Sequence, residues 1–101
     1  MAEDDRLRLD KWLFFARLVK SRTLAQGLVT AGHVRVNREK TDNPAKAIRV
    51  GDVLTLVLGR AVRVIEIRAL GTRRGPAPEA QALYRDLAAP GGRGMDEGPA
   101  G

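Results

Sequence analysis

The side chains best placed to do chemistry in this sequence are basic, and the sharpest group is Lys20-Ser21-Arg22. A serine before an amphipathic stretch is a good helix N-cap, because its hydroxyl accepts an N–H that has no partner inside the helix. The free N–H groups and the dipole of such a helix end favour an anion, and phosphate above all. Two flanking cations add to that field, and an arginine offers a planar fork for two phosphate oxygens. Arg8, Lys11 and Arg17 precede this group, and His33, Arg35, Asn37 and Arg38 follow it. Plainer alternatives stand beside this one: Ser21 as a cap alone, and Arg17 as a solvated or acid-paired helix residue.

The same inventory gives little to a catalyst. His33 is the single histidine, and a lone histidine at a helix-to-strand junction is a surface contact more often than a base. Without cysteine there is no disulfide, thiolate nucleophile or thiolate metal site, which fits a reducing cytoplasm. No cluster has metal-ligand spacing, and no glycine pattern matches a P-loop or a dinucleotide fingerprint. Glu3-Asp4-Asp5 reads as a solvated charge run. The expectation is no catalytic residue, no metal and no cofactor.

Charge points to a partner. Between residues 6 and 74 there are 16 Lys or Arg against five acids, a net of +11, whereas the whole chain carries +6. A folded middle this basic suits a polyanion, most often nucleic acid. Neither a secretory h-region nor an apolar run long enough to span a bilayer is evident, so no membrane partner is expected.

The positioning elements follow from periodicity. Leu9, Trp12, Leu13 and Ala16 form the apolar stripe of a first helix, with Asp10 at its cap or first turn and Phe14 and Phe15 widening the stripe. After Ser21, Leu24, Ala25, Leu28 and Val29 make the buried face of a second helix, and Gly32 suits a left-handed C′ position. The period then becomes two: Val34 and Val36 face one way, His33, Arg35 and Asn37 the other. A turn over residues 37–40, a loop at Asp42-Asn43-Pro44, a tight turn at Gly51-Asp52 and a strand over Val53–Leu58 follow. Gly59-Arg60 turns the chain into a strand over Ala61–Arg68. A basic loop, GTRRGPAP, leads to a short helix over Glu79–Ala88 with Leu83 and Leu87 inside. The organisation read from this is a frayed start (1–5), one domain (6–88) and a disordered Gly- and Pro-rich tail (89–101). The fold class is α+β, with two short helices packed on a small, mostly antiparallel sheet and a short C-terminal helix.

Several pieces together, Arg8-Leu9-Asp10, Ser21-Arg22, Leu24-Ala25, Gly32, Val34-x-Val36-Asn37 and Gly51-Asp52, resemble the RNA-binding domain named after ribosomal protein S4. With RLDKWL and RRGPAPEAQALY, the likeness extends over residues 6–87 towards the bacterial ribosome-associated heat-shock branch of that family. The resemblance implies an α+β fold carrying the αL-type RNA-binding motif. It implies RNA contacts through the exposed helix faces and the following hairpin, where the candidate residues are Arg8, Lys11, Arg17, Lys20, Ser21, Arg22, Gln26, His33, Arg35, Asn37 and Arg38. It implies a cytoplasmic, ribosome-associated protein without catalytic activity that binds ribosomal RNA of the large subunit. The further implied role is recycling of free large subunits that still hold peptidyl-tRNA under heat stress. Separately from the resemblance, no exposed coiled-coil seam is evident in the sequence, and a monomer is expected. Gln26 stands where the family commonly has Arg, Arg38 where a turn glycine is usual, and the tail is short and nearly neutral where the heat-shock branch has a basic extension. Two other functions remain open at this point: an RNA-targeting module acting in trans with a modifying enzyme, and a DNA-binding regulator built on the helical hairpin.

Overall fold

The computed structural model describes residues 6–87. The expectations of a frayed start and a disordered tail lie outside those residues. The elements run β1 (Leu7–Arg8), α1 (Leu9–Phe15), α2 (Arg22–Thr30), β2 (Val34–Val36), β3 (Glu39–Thr41), β4 (Ala47–Ile48), β5 (Val53–Leu58), β6 (Ala61–Ile67), α3 (Ala77–Gln81) and β7 (Tyr84–Asp86). β1 pairs with β4, and the other strands form one sheet in the order β3-β2-β5-β6-β7, antiparallel throughout. The fold is the expected α+β arrangement.

Alternation along the strands decides where the helices go. Val34, Val36, Leu54, Leu56, Ile65 and Ile67 are buried on one face of the sheet. The α1 stripe of Leu9, Trp12, Leu13 and Ala16 is buried with them, as are Ala25 and Val29 of α2. Each large aliphatic side chain fully buried there contributes roughly 1.5–3 kcal/mol. Phe15 joins the core and Phe14 lies half-buried, as the width of the stripe suggested. Leu24 does not join it: this residue is 54% exposed, and Leu28 is only half-buried. Residues 25 and 29 already occupy the inward side of this short helix, and Leu24 lies about 100° round the axis from Ala25.

Both helices end in the same way. Gly32 is left-handed (φ 82°), its N–H bonds the Val29 carbonyl, and the His33 N–H bonds that of Leu28. This is the Schellman arrangement. α1 repeats it with Arg17 at φ 59°, and Arg17 and Leu18 donate to Phe14 and Leu13. An arginine thus occupies a conformation easiest for glycine. The β2–β3 turn has a similar feature, with Asn37 and Arg38 at φ 53° and 75°. A two-residue hairpin with both central φ positive is the type I′ turn, for which Asn-Gly is favoured. Arg38→Gly is therefore expected to stabilise the domain by about 0.5–1 kcal/mol. The check is a urea melt: the midpoint should rise with an unchanged slope, and a fall would mean that Arg38 is held by contacts worth more than the turn strain.

The C-terminal helix is shorter than the periodicity of Leu83 and Leu87 suggested. It stops at Gln81, and Tyr84–Asp86 forms an edge strand on β6 instead. The Leu83 carbonyl accepts from both Arg68 (2.8 Å) and Ala69 (3.1 Å), and the Leu87 N–H bonds the Val64 carbonyl. An otherwise open strand edge on β6 takes up the backbone that local periodicity gave to a helix.

Candidate nucleic-acid interface

The candidate interface begins at the start of α1. No side chain caps this helix. Instead the Leu9 and Asp10 N–H groups donate to the carbonyls of Lys46 (2.9 Å) and Pro44 (3.0 Å). The loop after β3 thereby closes over the helix start, and the Arg8↔Ala47 register sets Lys46 close to Arg8.

Asp10 is the organising residue. It is the buried charged side chain among the described residues, with no exposed surface. Its two oxygens accept a forked pair of bonds from Arg8 (both 3.1 Å), one from Arg22 (3.3 Å) and one from the Gln26 amide (2.9 Å). Burial by itself pushes the Asp10 carboxyl up, but the bonds from Arg8, Gln26 and Arg22, with the Arg22 charge, hold it below the usual carboxylate range. One internal anion thus orients the guanidinium groups of two arginines whose side chains stay about half exposed, 50% and 41%. The cluster retains a net positive charge and presents donors outward.

Lys11 and Lys20 extend this surface. Neither has an ion-pair partner among the described residues; the Lys11 ammonium lies 5.8 Å from the Phe15 ring centre. Ser21 is the N-cap of α2, its hydroxyl accepting from the Leu24 N–H at 3.1 Å. Beyond the cap, a shallow groove of about 640 Å³ runs along the outer side of α2. Leu24, Gly27 and Leu28 line it, with Lys20 supplying a cation and His33 a polar ring. Leu24, which the periodicity placed in the core, is part of its apolar floor.

The structure divides the residues singled out in the sequence. Arg8, Lys11, Lys20, Ser21, Arg22 and Gln26 gather around α1 and α2, with His33 at the far end of the groove. Arg35 lies on the sheet face opposite the helices, since its neighbours Val34 and Val36 point into the core. It pairs in register with Lys40, and with Arg38 at the turn forms a separate basic strip. The Asn37 side chain is occupied: it donates to Asp52 (3.0 Å) and accepts from the Val53 N–H (2.9 Å). Arg17 turns away from α2 and donates to the Gly75 carbonyl.

Sequence reasoning missed the role of Asp10 as a hub, although Arg22 and Gln26, four residues apart on one helix face, were a signal that two donors aim at one acceptor. Among the described residues no three His, Cys, Asp or Glu are grouped to hold a metal, and no helix is long and apolar enough to cross a membrane.

Comparison with known proteins agrees with this geometry. The S4 domain model matches residues 7–54, which spans both helices, the hairpin and the start of β5. The heat shock protein 15 homolog of Haemophilus influenzae is 41% identical over 86 residues, 85% of this chain and 64% of that relative. The chain spans 61–64% of the length of the heat shock proteins of this kind that it matches. The RQC P-site tRNA stabilizing factor of Bacillus subtilis is 36% identical over 67 residues and is covered over 73% of its length. Among solved structures, the trimeric structure of Vibrio cholerae heat shock protein 15 superposes with a TM-score of 0.77 at 41% identity, covering 82% of this chain and 83% of that one.

Proposed function

The chain belongs to the S4 domain family, and from that premise we propose that it is a non-enzymatic RNA-binding protein of the ribosome. It binds structured RNA through the α1–α2 face. One observation carries the reading: a buried Asp10 fixes Arg8 and Arg22, whose chain neighbours include Lys11 and Lys20, so two guanidinium groups are held together before any ligand arrives. Preorganised guanidinium groups lose little conformational freedom on meeting a phosphate. Among the described residues no long helix protrudes to fill a DNA major groove; two short helices and a hairpin suit recognition of shape, phosphates and 2′-hydroxyls.

The target is ribosomal RNA of the large subunit, and the task is recycling of free large subunits that still carry peptidyl-tRNA after heat stress. The heat-shock names of the relatives support the stress connection, and a relative named for stabilising tRNA in the P site supports the tRNA connection. The proposed binding unit is a single chain.

Sucrose-gradient sedimentation of lysate before and after heat stress tests this. The protein is expected to travel with free large subunits, more so after stress, and to leave them at high salt because phosphate contacts are screened. Sedimentation only at the top of a low-salt gradient would remove the ribosomal role.

A further inference from the structure

We propose that the loop between β6 and α3 is a second phosphate-binding arm, in which Arg74 makes the contact and Arg73 holds the loop. This rests on the RNA-binding reading of the α1–α2 face and enlarges that face beyond residues 7–54, the span of the S4 domain match.

Position is the first argument. The loop is far from the helices in sequence, yet it is tied to them at separate points. The Trp12 indole N–H donates to the Ala69 carbonyl at 2.9 Å, and Arg17 donates to that of Gly75. The Arg74 guanidinium lies over the Phe14 ring, 4.8 Å from its centre, and reaches the Val19 carbonyl at 3.4 Å. Val19 immediately precedes Lys20. Lys11 and Phe14 share one side of α1, three residues apart. By covering Phe14, Arg74 places a further cation on the side of α1 that carries Lys11.

The two arginines of the loop differ in what they already touch. Arg73 is spent on Glu79, with bonds of 2.8 and 3.2 Å. That pair closes over Gly75, where any Cβ would meet the Glu79 carboxylate. Arg74 has no carboxylate partner among the described residues. Its place over the Phe14 ring and its bond to the Val19 carbonyl hold the side chain, so less rotamer freedom is left to lose.

Partial burial points the same way. Among the described residues, the buried side-chain nitrogens without a hydrogen-bond partner are the Nε atoms of Arg22 and Arg74. Without exposed surface these atoms meet no phosphate themselves; they mark two arginines whose inner parts are held by packing, so that a ligand is met by their outer nitrogens. These two stand on either side of one turn, residues 18–21: Arg22 opens α2, and Arg74 reaches Val19. Arg22 belongs to the face already described. A phosphate run that follows this face past Lys20 meets Arg74 next, and the ligand is the same RNA backbone.

The test is fluorescence anisotropy with a fluorescein-labelled RNA hairpin over a series of KCl concentrations. Arg74→Ala is expected to weaken binding roughly fivefold to tenfold and to make the plot of log K against log salt shallower by about 0.7–0.9, the value of one lost phosphate contact. Arg74→Gln keeps a stem against Phe14 and should show the same loss, which separates a lost contact from a lost fold. Arg85→Ala removes a cation on the opposite sheet face, paired there with Glu66, and should change neither quantity. If both Arg74 variants bind with unchanged affinity and slope while Lys20→Glu weakens binding, the loop is only a brace and the inference falls. If Lys20→Glu also has no effect, the α1–α2 reading falls and the inference falls with it.

Discussion

The double substitution Lys20→Glu with Arg22→Gln is expected to weaken RNA binding by about a hundredfold or more at moderate salt. Hydrogen bonds to charged groups are worth roughly 1.5–3 kcal/mol each, and two lost contacts plus one repulsive carboxylate pass the 2.7 kcal/mol or so that a hundredfold needs. The salt slope should become shallower by about 1.4–1.8, for two contacts. Glutamine is chosen at position 22 because a glutamate would stand against the buried Asp10 carboxylate, whereas glutamine can still donate to it. Lys20 is exposed and unpaired among the described residues, so its reversal should leave the fold intact. Anisotropy titration with a structured RNA, with circular dichroism as the fold control, gives the answer. A folded double variant that binds normally would move the interface to the other basic strip, Arg35, Arg38 and Lys40.

Asp10→Asn should be the most destabilising conservative change in the domain. The carboxylate accepts bonds from three side chains, and an amide in its place sets an NH₂ among donors that need acceptors. Breaking a buried pair costs about 3–5 kcal/mol, but Arg8 and Arg22 are about half exposed and can regain water, so roughly 2–3 kcal/mol is expected. In a domain of this size that lowers the thermal midpoint by about 10–20 °C. The dependence on pH has a definite sign. The Asp10 carboxyl titrates below its ordinary value in the folded protein. Its contribution is therefore fully present above the unfolded value of about 3.9 and is lost as pH falls through the folded one. Urea melts at neutral pH should show the full gap between native protein and variant, and melts below about pH 3.9 a narrowing one. A gap that stayed constant into acid would mean that packing, not charge, holds the Asp10 site.

The sequence was most legible where periodicity and backbone chemistry agree. Leu9, Trp12, Leu13 and Ala16 are buried as their spacing requires, Ser21 caps α2, and Gly32 closes that helix in a left-handed conformation. It was least legible where tertiary contacts decide. Tyr84–Asp86 has helical spacing around it but was taken up by the open edge of β6. Leu24 has an apolar side chain at a helical position, yet it lies about 100° round α2 from Ala25, off the side that Ala25 and Val29 turn towards the sheet. Of the candidate interface, the cations were visible in the sequence and their spatial grouping was not. Charge alone could not say that Arg8 and Arg22 converge on Asp10, or that Arg35 lies behind the sheet. Gln26 stood out only as a departure from a familial arginine; its use as the third donor to Asp10 needed the fold.

The seam between α1 and the C-terminal segment has an optical consequence. Trp12 is the one tryptophan in the chain, it is fully buried, and its indole N–H is bonded to the Ala69 carbonyl. Tyr84 meets it edge to face, with ring centres 6.3 Å apart. All the indole emission of the protein therefore originates at the point where the matched S4 segment meets the residues that follow it. A spectroscopist exciting Trp12 follows the docking of that second part onto the first, and can see the seam open without attaching a dye.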